Sequence, residues 1–261
     1  MPLVGGHGTS GSFGPLLETD YAVVGATTVA LASVTYGLVA GSIMGGPIAR
    51  MRVEKHGLKS TAAEEGNAAA EVASPIDGDK FTTAAMFLAV SIGIGTFIYA
   101  FFKDVLHLTF PTYIGAMLAA AAVRNIWDIR GKELPMEEID ALGGLSLNLF
   151  LSMAMMSLKL CQLAALALPM IVILLVQTFI MFLYANFLVF NVMGREYEAA
   201  AMTTAFCGFG MGATLNAMAN MRALVERYGA APRAFFIVPL VGSLFVDFFN
   251  SMILTTFMNF L

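Results

Sequence analysis

The chain is long and strongly apolar. Its 261 residues are 58% hydrophobic and 12% charged, with a mean hydropathy of +0.79. Because a soluble domain carries about 25% charged residues, this composition excludes an ordinary soluble protein and indicates a membrane protein. The net charge is only −4, and the basic residues fall in loops rather than on one face, so we expect no nucleic-acid partner.

The first feature in chain order is a glycine cluster, Gly5-Gly6-His7-Gly8-Thr9. The residues before it have neither the basic flank nor the apolar core of a signal peptide. Since the chain begins almost inside a membrane break, we expect it to be a fragment or to have a misplaced start. His7 either lines a cavity or caps the turn.

Six stretches have the roughly 20 mostly apolar residues that a membrane-spanning helix needs. The fifth is long enough to tilt or to kink near Pro169. Between the fifth and the sixth, residues 199–228 are interrupted by a second glycine cluster, which predicts a hairpin that enters the membrane and returns to the same side. The predicted spans are 21–49, 81–103, 109–127, 140–160, 164–193 and 234–261.

The distribution of Lys and Arg predicts the orientation. If the loop at 50–80 is cytoplasmic, all 14 basic residues except Lys103 and Lys159 lie on the inner side. The C-terminus is then outside. The first glycine cluster enters from the outside and the second from the cytoplasm, which is the inverted topology of many secondary transporters.

The second glycine cluster lies between two predicted helical arms, Ala199–Cys207 and Thr214–Glu226, with Gly208–Gly212 as the break. Thr214 is a suitable N-cap for the second arm. The free N–H groups at the start of that arm would form a site for a carboxylate within the membrane. The alternative is that the glycines only permit close helix packing.

Polar side chains recur at helical spacing in the second arm. Asn216 and Asn220 are separated by four residues, so they share a face. We interpret both as substrate-binding candidates.

In the last span, Ser243, Asp247 and Asn250 share one helical face. Asp247 is the only acidic residue in the middle of a predicted span, where a carboxylate costs roughly 2.5–3.5 kcal/mol on insertion scales. Oxygen ligands of this kind suit a hard cation, so Na⁺ or a proton is the candidate. The alternative is a paired structural carboxylate near an interface.

Two further spans carry polar residues with weaker signals. Asn148 lies between Gly144 and Ser152 on one face of the fourth span, which fits either ion contact or interhelical hydrogen bonding. Gln177 and Tyr184 share a face of the fifth span and are more typical of packing.

The sequence excludes two kinds of membrane enzyme. An intramembrane aspartyl protease needs two carboxylates on facing helices, and Asp247 has no second carboxylate in the middle of a span. A rhomboid-like serine protease needs a histidine on a span, and no predicted span contains one. We therefore predict that the chain is not an enzyme.

Several runs of the sequence resemble bacterial sodium/glutamate symporters. The resemblance extends over nearly the whole chain apart from 50–80. It is most specific in the last part, which contains CGFGMGAT (207–214), AMANM (217–221), ERYG (226–229), AFFIVPLVG (234–242) and FVDFFN (245–250). Leu145–Leu158, Gly5–Thr9 and Gly45–Arg50 also resemble parts of the family.

The resemblance implies L-glutamate uptake with Na⁺ through two inverted domains whose glycine-rich loops meet near the substrate. Two departures stand out. Leu215-Asn216 replaces the Pro-Thr that is usual in the family, and the family's first spans are absent. The substrate-binding residues that the resemblance implies are Gly5, Gly6, His7, Gly8, Thr9, Gly208, Gly210, Gly212, Ala213 and Thr214.

The sequence as a whole predicts an all-α, multi-pass inverted-repeat transporter of the plasma membrane, with about six spans and two re-entrant hairpins. We expect the end of an N-terminal half at 1–49, a linker at 50–80 and a C-terminal half at 81–261. The partners are L-glutamate, Na⁺ and the lipid bilayer, with a homodimer as an open alternative and no cofactor besides the coupling ion. Other hypotheses are a carrier for another small carboxylate, such as a dicarboxylate or citrate, and a fragment that does not transport.

Overall fold

The computed structural model describes residues 3–60, 77–105, 112–132, 134–156 and 160–258. Every regular element in these ranges is helical, which confirms the all-α prediction. Two π-helical segments, Ala185–Val189 and Gly242–Val246, interrupt the α-helices. The α-helices are α1 (Gly6–Thr19), α2 (Ala26–His56), α3 (Gly78–Asp104), α4 (Thr112–Ile129), α5 (Met136–Met156), α6 (Leu160–Tyr184), α7 (Phe190–Val192), α8 (Tyr197–Met211), α9 (Thr214–Tyr228), α10 (Pro232–Val241) and α11 (Asp247–Met258).

Three helices in the described ranges are long and apolar enough to cross a membrane: Ala26–His56, Gly78–Asp104 and Ala167–Val192. They match the predicted spans 21–49, 81–103 and 164–193. The other three predicted spans are helical in α4, in α5 and in α10 with α11, but they are not among these candidates. The predicted count of six spans is therefore not confirmed.

The chain forms two compact units, one of residues 1–70 and 159–256 and the other of residues 71–158 and 257–261. These units differ in their residues from the segments 1–49, 50–80 and 81–261 that the sequence predicts, because each unit combines stretches that are far apart along the chain. Helix α2 continues past the expected end of its span to His56, and α3 begins at Gly78.

The second unit contains α3, α4 and α5. Helices α3 and α4 cross where Gly95 and Gly115 meet, because a Cβ atom on Gly95 would contact the backbone of Ala116 and one on Gly115 would contact the carbonyl oxygen of Gly95. An edge-to-face contact between Phe87 and Trp127, with ring centroids 4.8 Å apart, joins the same pair of helices. Small residues at the crossing bring the two backbones together, as in many membrane helix pairs.

The centre of the first unit is the packing of α2 against α8, which runs antiparallel to it. A Cβ atom on Gly37 would contact the carbonyl oxygen of Met211, and one on Gly41 would lie 2.8 Å from the carbonyl oxygen of Cys207. Farther along α2, a Cβ atom on Gly45 would lie 2.6 Å from the side-chain nitrogen of Asn220. The absence of side chains at these glycines allows the backbones to approach closely.

Helices α8 and α9 form a hairpin whose open end is closed by hydrogen bonds. The Tyr197 hydroxyl donates to the carbonyl oxygen of Gly229 at 2.5 Å. Burial raises the pKa of Tyr197 to about 12, so the hydroxyl stays protonated and remains a donor. The Glu198 carboxylate accepts from the backbone N–H of Ala234 at 2.9 Å, at the start of α10. The ends of the α8–α9 hairpin are therefore held together.

The π-helical segment that follows α6 is bound by an arginine from α2. The Arg52 guanidinium donates to the carbonyl oxygen of Asn186 at 2.6 Å and to its side-chain oxygen at 3.1 Å. It also lies over the Phe190 ring, 4.8 Å from the centroid. Arg52 therefore ties α2 to the π-helical segment through both the backbone and the side chain of Asn186.

Candidate functional site

The α8–α9 hairpin turns over a shorter break than the sequence predicts. Helix α8 continues through Gly208 and Gly210 to Met211, so the predicted break at Gly208–Gly212 is wrong. Only Gly212 and Ala213, which we call the second tip, separate α8 from α9. Gly208 serves packing instead, because a Cβ atom there would lie 2.5 Å from the backbone N and Cα of Ala217.

Helix α9 begins without a side-chain cap. The cap position is Ala213, with φ −142° and ψ 170°, and its methyl side chain makes no capping hydrogen bond. Thr214 is the first helical residue, so the expectation that Thr214 is the N-cap is wrong. The first N–H groups of α9 therefore donate no hydrogen bond to a side chain at the cap position, and the positive end of the helix dipole lies at Thr214.

The first glycine cluster forms a second turn of this kind. Gly5 and Gly6, which we call the first tip, have φ values of 88° and 63°. Gly5 immediately precedes α1, and Gly6 is the first residue of α1. No side chain caps α1 either. The buried Thr9 hydroxyl donates back to the carbonyl oxygen of Gly5 at 3.2 Å, which holds the turn.

The two tips contact each other. A Cβ atom on Gly6 would lie 2.9 Å from the Cβ atom of Ala213 and 4.0 Å from the carbonyl oxygen of Gly212. The N-termini of α1 and α9 therefore start side by side, each without a cap side chain. Two positive helix ends at one place favour an anion there.

The other members of the first cluster have different surroundings. The Nε2 atom of His7 lies 3.2 Å from the Thr35 hydroxyl of α2. Gly8 is exposed, and a Cβ atom there would meet nothing within 4 Å.

In the second cluster, Gly210 faces α6, where a Cβ atom would contact the Met181 side chain. Thr214 faces the π-helical segment that precedes α11. Its hydroxyl oxygen lies 3.1 Å from the position of a Cβ atom on Gly242.

Asn216 and Asn220 share a face of α9, as their spacing predicts, and both bind α2. The Asn216 amide donates to the carbonyl oxygen of Leu38 at 3.2 Å, and its oxygen accepts from the Ser42 hydroxyl at 2.6 Å. The buried Asn220 amide donates to the carbonyl oxygen of Gly41 at 3.2 Å. These contacts give both residues an interhelical role, and substrate binding by them stays a prediction.

Of the predicted ion ligands, Asn250 lies at the first tip. Its amide donates to the carbonyl oxygen of Val4 at 2.8 Å, and its nitrogen lies 3.1 Å from the position of a Cβ atom on Gly5. Asp247 begins α11 and Ser243 lies in the π-helical segment before it. The side chains of these two residues lie outside what the structure describes.

Asn148 belongs to the second unit. It is exposed on α5, and its carbonyl oxygen accepts from the Ser152 hydroxyl at 2.9 Å. This bond gives the Ser152 hydroxyl a partner within its own helix, and an ion-binding role for Asn148 stays a prediction.

A cavity of about 360 Å³ lies beside the tips in the first unit. Its lining includes Val4 before the first tip, Gly210 and Met211 before the second tip, and Asn250. The opposite wall is α6. Its two polar side chains in the cavity are Gln177 and Tyr184, which the sequence pattern indicates as packing residues. The lining residues of α6 are Gln177, Ile180, Met181 and Tyr184.

The sequence interpretation missed the role of α2 in building this site. Gly37, Gly41 and Gly45 repeat every four residues, and that spacing is a known signal for close helix packing in membranes. In the structure Gly37 and Gly41 lie against the carbonyl oxygens of Met211 and Cys207 at the end of α8, and Gly45 lies against the Asn220 side chain of α9.

Comparison with known proteins identifies the family. The model of the sodium/glutamate symporter family matches residues 1–230. The sodium/glutamate symporter of Escherichia coli is 36% identical over 264 residues, covering 99% of this chain and 66% of that protein. The sodium/glutamate symporter of Haemophilus influenzae is 35% identical over 262 residues, covering 97% of this chain and 65% of that protein. No solved structure matches the chain.

The chain spans 66% and 65% of the length of these two relatives. The family match and the apolar helices together make it a multi-pass membrane protein. The resemblance predicted from the glycine clusters and the last helix is confirmed, and the chain belongs to the sodium/glutamate symporter family.

Proposed function

We propose that the protein carries L-glutamate across the cytoplasmic membrane together with Na⁺, by exposing one site alternately to the two sides. The observation that carries this proposal is the contact between the first and second tips, where α1 and α9 begin side by side without cap side chains. The relatives that the chain matches are named sodium/glutamate symporters.

The tips supply the chemistry that an anionic solute requires. Each helix N-terminus offers unpaired N–H groups and a partial positive charge, and discontinuous helices near the membrane midplane bind substrate carboxylates in many secondary transporters. We assign the residues of the two glycine clusters and the two asparagines of α9 to the substrate site, where Gly208 acts by letting α9 approach α8. These residues are Gly5, Gly6, His7, Gly8 and Thr9, and Gly208, Gly210, Gly212, Ala213, Thr214, Asn216 and Asn220.

Sodium binding is assigned to oxygen atoms of the last helix. Asp247 would supply the charge, and Ser243 and Asn250 would supply neutral oxygens on the same helical face. The bond from Asn250 to Val4 connects this face to the first tip, so ion and solute would occupy neighbouring places. Asn148 is a further candidate ligand.

The proposed placement in the membrane follows the Lys/Arg distribution. The linker at 50–80 is cytoplasmic, the C-terminus is outside, and the tips belong to re-entrant hairpins that enter from opposite sides. The halves at 1–49 and 81–261 are the two inverted parts, and the protein works in the lipid bilayer as a monomer or a homodimer.

A second candidate is a carrier for another small carboxylate, such as a dicarboxylate or citrate. The observation in its favour is Leu215-Asn216, which departs from the family pattern directly after the second tip. In the structure Leu215 is 73% exposed, so packing within the protein does not determine which residue occupies this position.

Uptake into proteoliposomes tests the proposal. Labelled L-glutamate should accumulate with an inward Na⁺ gradient and not with an equal K⁺ gradient, and unlabelled L-glutamate should compete better than citrate or a dicarboxylate. Stronger competition by one of the latter would favour the second candidate. No solute accumulation at all would mean that this chain does not transport.

The Asp247→Asn variant tests the ion assignment. We expect it to insert normally and to lose Na⁺-driven uptake, because the amide removes the charge that the cation needs. Asp140→Asn, at an exposed position of α5, is the matched control and should retain uptake. Normal Na⁺-driven uptake by Asp247→Asn would remove Asp247 from the ion site.

A further inference from the structure

We propose that Gln177 contacts the transported solute directly, by donating a hydrogen bond from its side-chain amide to a carboxylate group in the cavity beside the tips. This inference rests on the proposed function and assigns to the site a residue of α6, which the sequence pattern gave to packing. Its support comes from the hydrogen bonds of α6, from the shape of the cavity and from the chemistry of the cavity wall.

Gln177 differs from Thr178, the next residue of α6, and from Asn186 in the π-helical segment that follows this helix. The Thr178 hydroxyl donates to the carbonyl oxygen of Leu174 at 2.8 Å, and the Asn186 amide donates to that of Phe182 at 3.1 Å. Within the described ranges, by contrast, no residue forms a hydrogen bond with the Gln177 amide. An amide without a partner is costly at membrane depth, so a polar occupant of the cavity would relieve that cost.

The cavity places this amide opposite the two tips. Gln177 and Tyr184 are seven residues apart on α6 and both line the cavity of about 360 Å³, whose other wall includes Val4, Gly210 and Asn250. The Tyr184 hydroxyl also lacks a hydrogen bond within the described part of the chain. Small-molecule sites commonly have this form, with mostly apolar walls and a few converging polar groups.

Gln177 also borders a second cavity, of about 230 Å³, that runs along α6 toward the start of α2. Its lining includes Val29 and Ser33. Because Gln177 belongs to both cavities, it lies where they adjoin. A solute that reaches the tips along α6 would pass this amide.

The described lining of the cavity beside the tips contains no charged side chain. A carboxylate there would therefore be held by neutral donors and by the helix N-termini rather than by an ion pair. The Gln177 amide can donate to a carboxylate, and replacing it with Glu would instead place a second negative charge against the solute.

The test is uptake of labelled L-glutamate by Gln177→Leu and Gln177→Glu in proteoliposomes. Since a hydrogen bond to a charged group contributes about tenfold or more in affinity, Gln177→Leu should raise the KM for glutamate by about that factor. Gln177→Glu should raise it further and should weaken competition by L-glutamate more than competition by L-glutamine. Asn191→Leu is the control, because Asn191 is exposed in α7 and, within the part of the chain that the structure describes, its side chain bonds only to the carbonyl oxygen of Phe187.

A binding measurement separates solute contact from a folding defect. Glutamate should raise the Tm of the wild type and of Asn191→Leu in detergent, whereas the Gln177 variants should keep the Tm of the free protein and lose most of that rise. If Gln177→Leu shows wild-type kinetics or the full glutamate-induced rise in Tm, this inference is overturned and the proposed function still stands. Lack of uptake and of glutamate binding in the wild type would overturn the proposed function and with it this inference.

Discussion

At the first tip, Gly5 and Gly6 have φ values of 88° and 63°, whereas Gly208 and Gly210 near the second tip have helical backbones. Glycine is required at Gly5 and Gly6 because residues with a side chain rarely adopt a positive φ. Gly208 is needed because a Cβ atom would meet the backbone of Ala217 at 2.5 Å. The first tip is thus constrained by backbone conformation as well as by space, since a Cβ atom on Gly6 would lie 2.9 Å from the Cβ atom of Ala213, whereas Gly208 is constrained by space alone.

The largest effect is expected for Gly208→Ala. A methyl group there would meet backbone atoms of α9, which cannot move aside as a side chain can, so we expect a loss of about 3 kcal/mol in the free energy of unfolding. Denaturation in detergent measures it. Gly46→Ala in α2 is the control, because a Cβ atom there meets nothing within 4 Å. Equal stability of the two variants would contradict a spatial role for Gly208.

A smaller effect is expected for Gly5→Ala. The left-handed conformation costs a residue with a side chain roughly 1–2 kcal/mol. The new Cβ atom would also displace the Thr9 side chain, so we expect a loss at the upper end of that range, about 2 kcal/mol. The control is Gly8→Ala, whose Cβ atom would lie in open space and whose backbone has no positive φ. Thermal unfolding of the two variants tests the comparison, and a Gly5→Ala protein as stable as Gly8→Ala would show that the turn tolerates a side chain.

The smallest effect is expected for Gly210→Ala. The added methyl group would contact only the Met181 side chain, which is flexible and can move aside. The higher helix propensity of Ala, worth roughly 1 kcal/mol, offsets part of that cost. The free energy of unfolding should change by less than about 1 kcal/mol. A double-mutant cycle with Met181→Ala measures the coupling, and a large loss that persists in the Met181→Ala background would point to another contact.

The sequence predicted where the α8–α9 hairpin lies but not where it turns. A glycine inside a helix costs only about 1 kcal/mol, so packing against α9 and α2 can keep Gly208 and Gly210 helical. The turn falls at Gly212–Ala213, and the pattern of glycines alone does not select that place. Because the pattern does not place the turn, the sequence predicts Thr214 as the N-cap, whereas in the structure Thr214 is the first residue of α9.

The candidate site was predicted in part. The spacing of Asn216 and Asn220 correctly placed both on one face, but periodicity does not tell whether a face meets solute or helix, and both side chains bond to α2. Gln177 is the reverse case, because the sequence pattern indicates a packing residue and the structure places it on the cavity wall. Its unpaired amide becomes informative only when the partners of its neighbours are known, and a single sequence does not contain that information.

The glycines of α2 recur every four residues, and the carbonyl oxygens of Cys207 and Met211 that face two of them are also four residues apart. A slip of α2 by one helical turn in one direction would bring Gly41 and Gly45 opposite these oxygens, so the repeat by itself does not exclude that register. The bond from Ser42 to Asn216 at 2.6 Å breaks this degeneracy, because the residues one turn away, Leu38 and Gly46, have no hydroxyl. One serine thereby specifies an alignment that three glycines leave ambiguous.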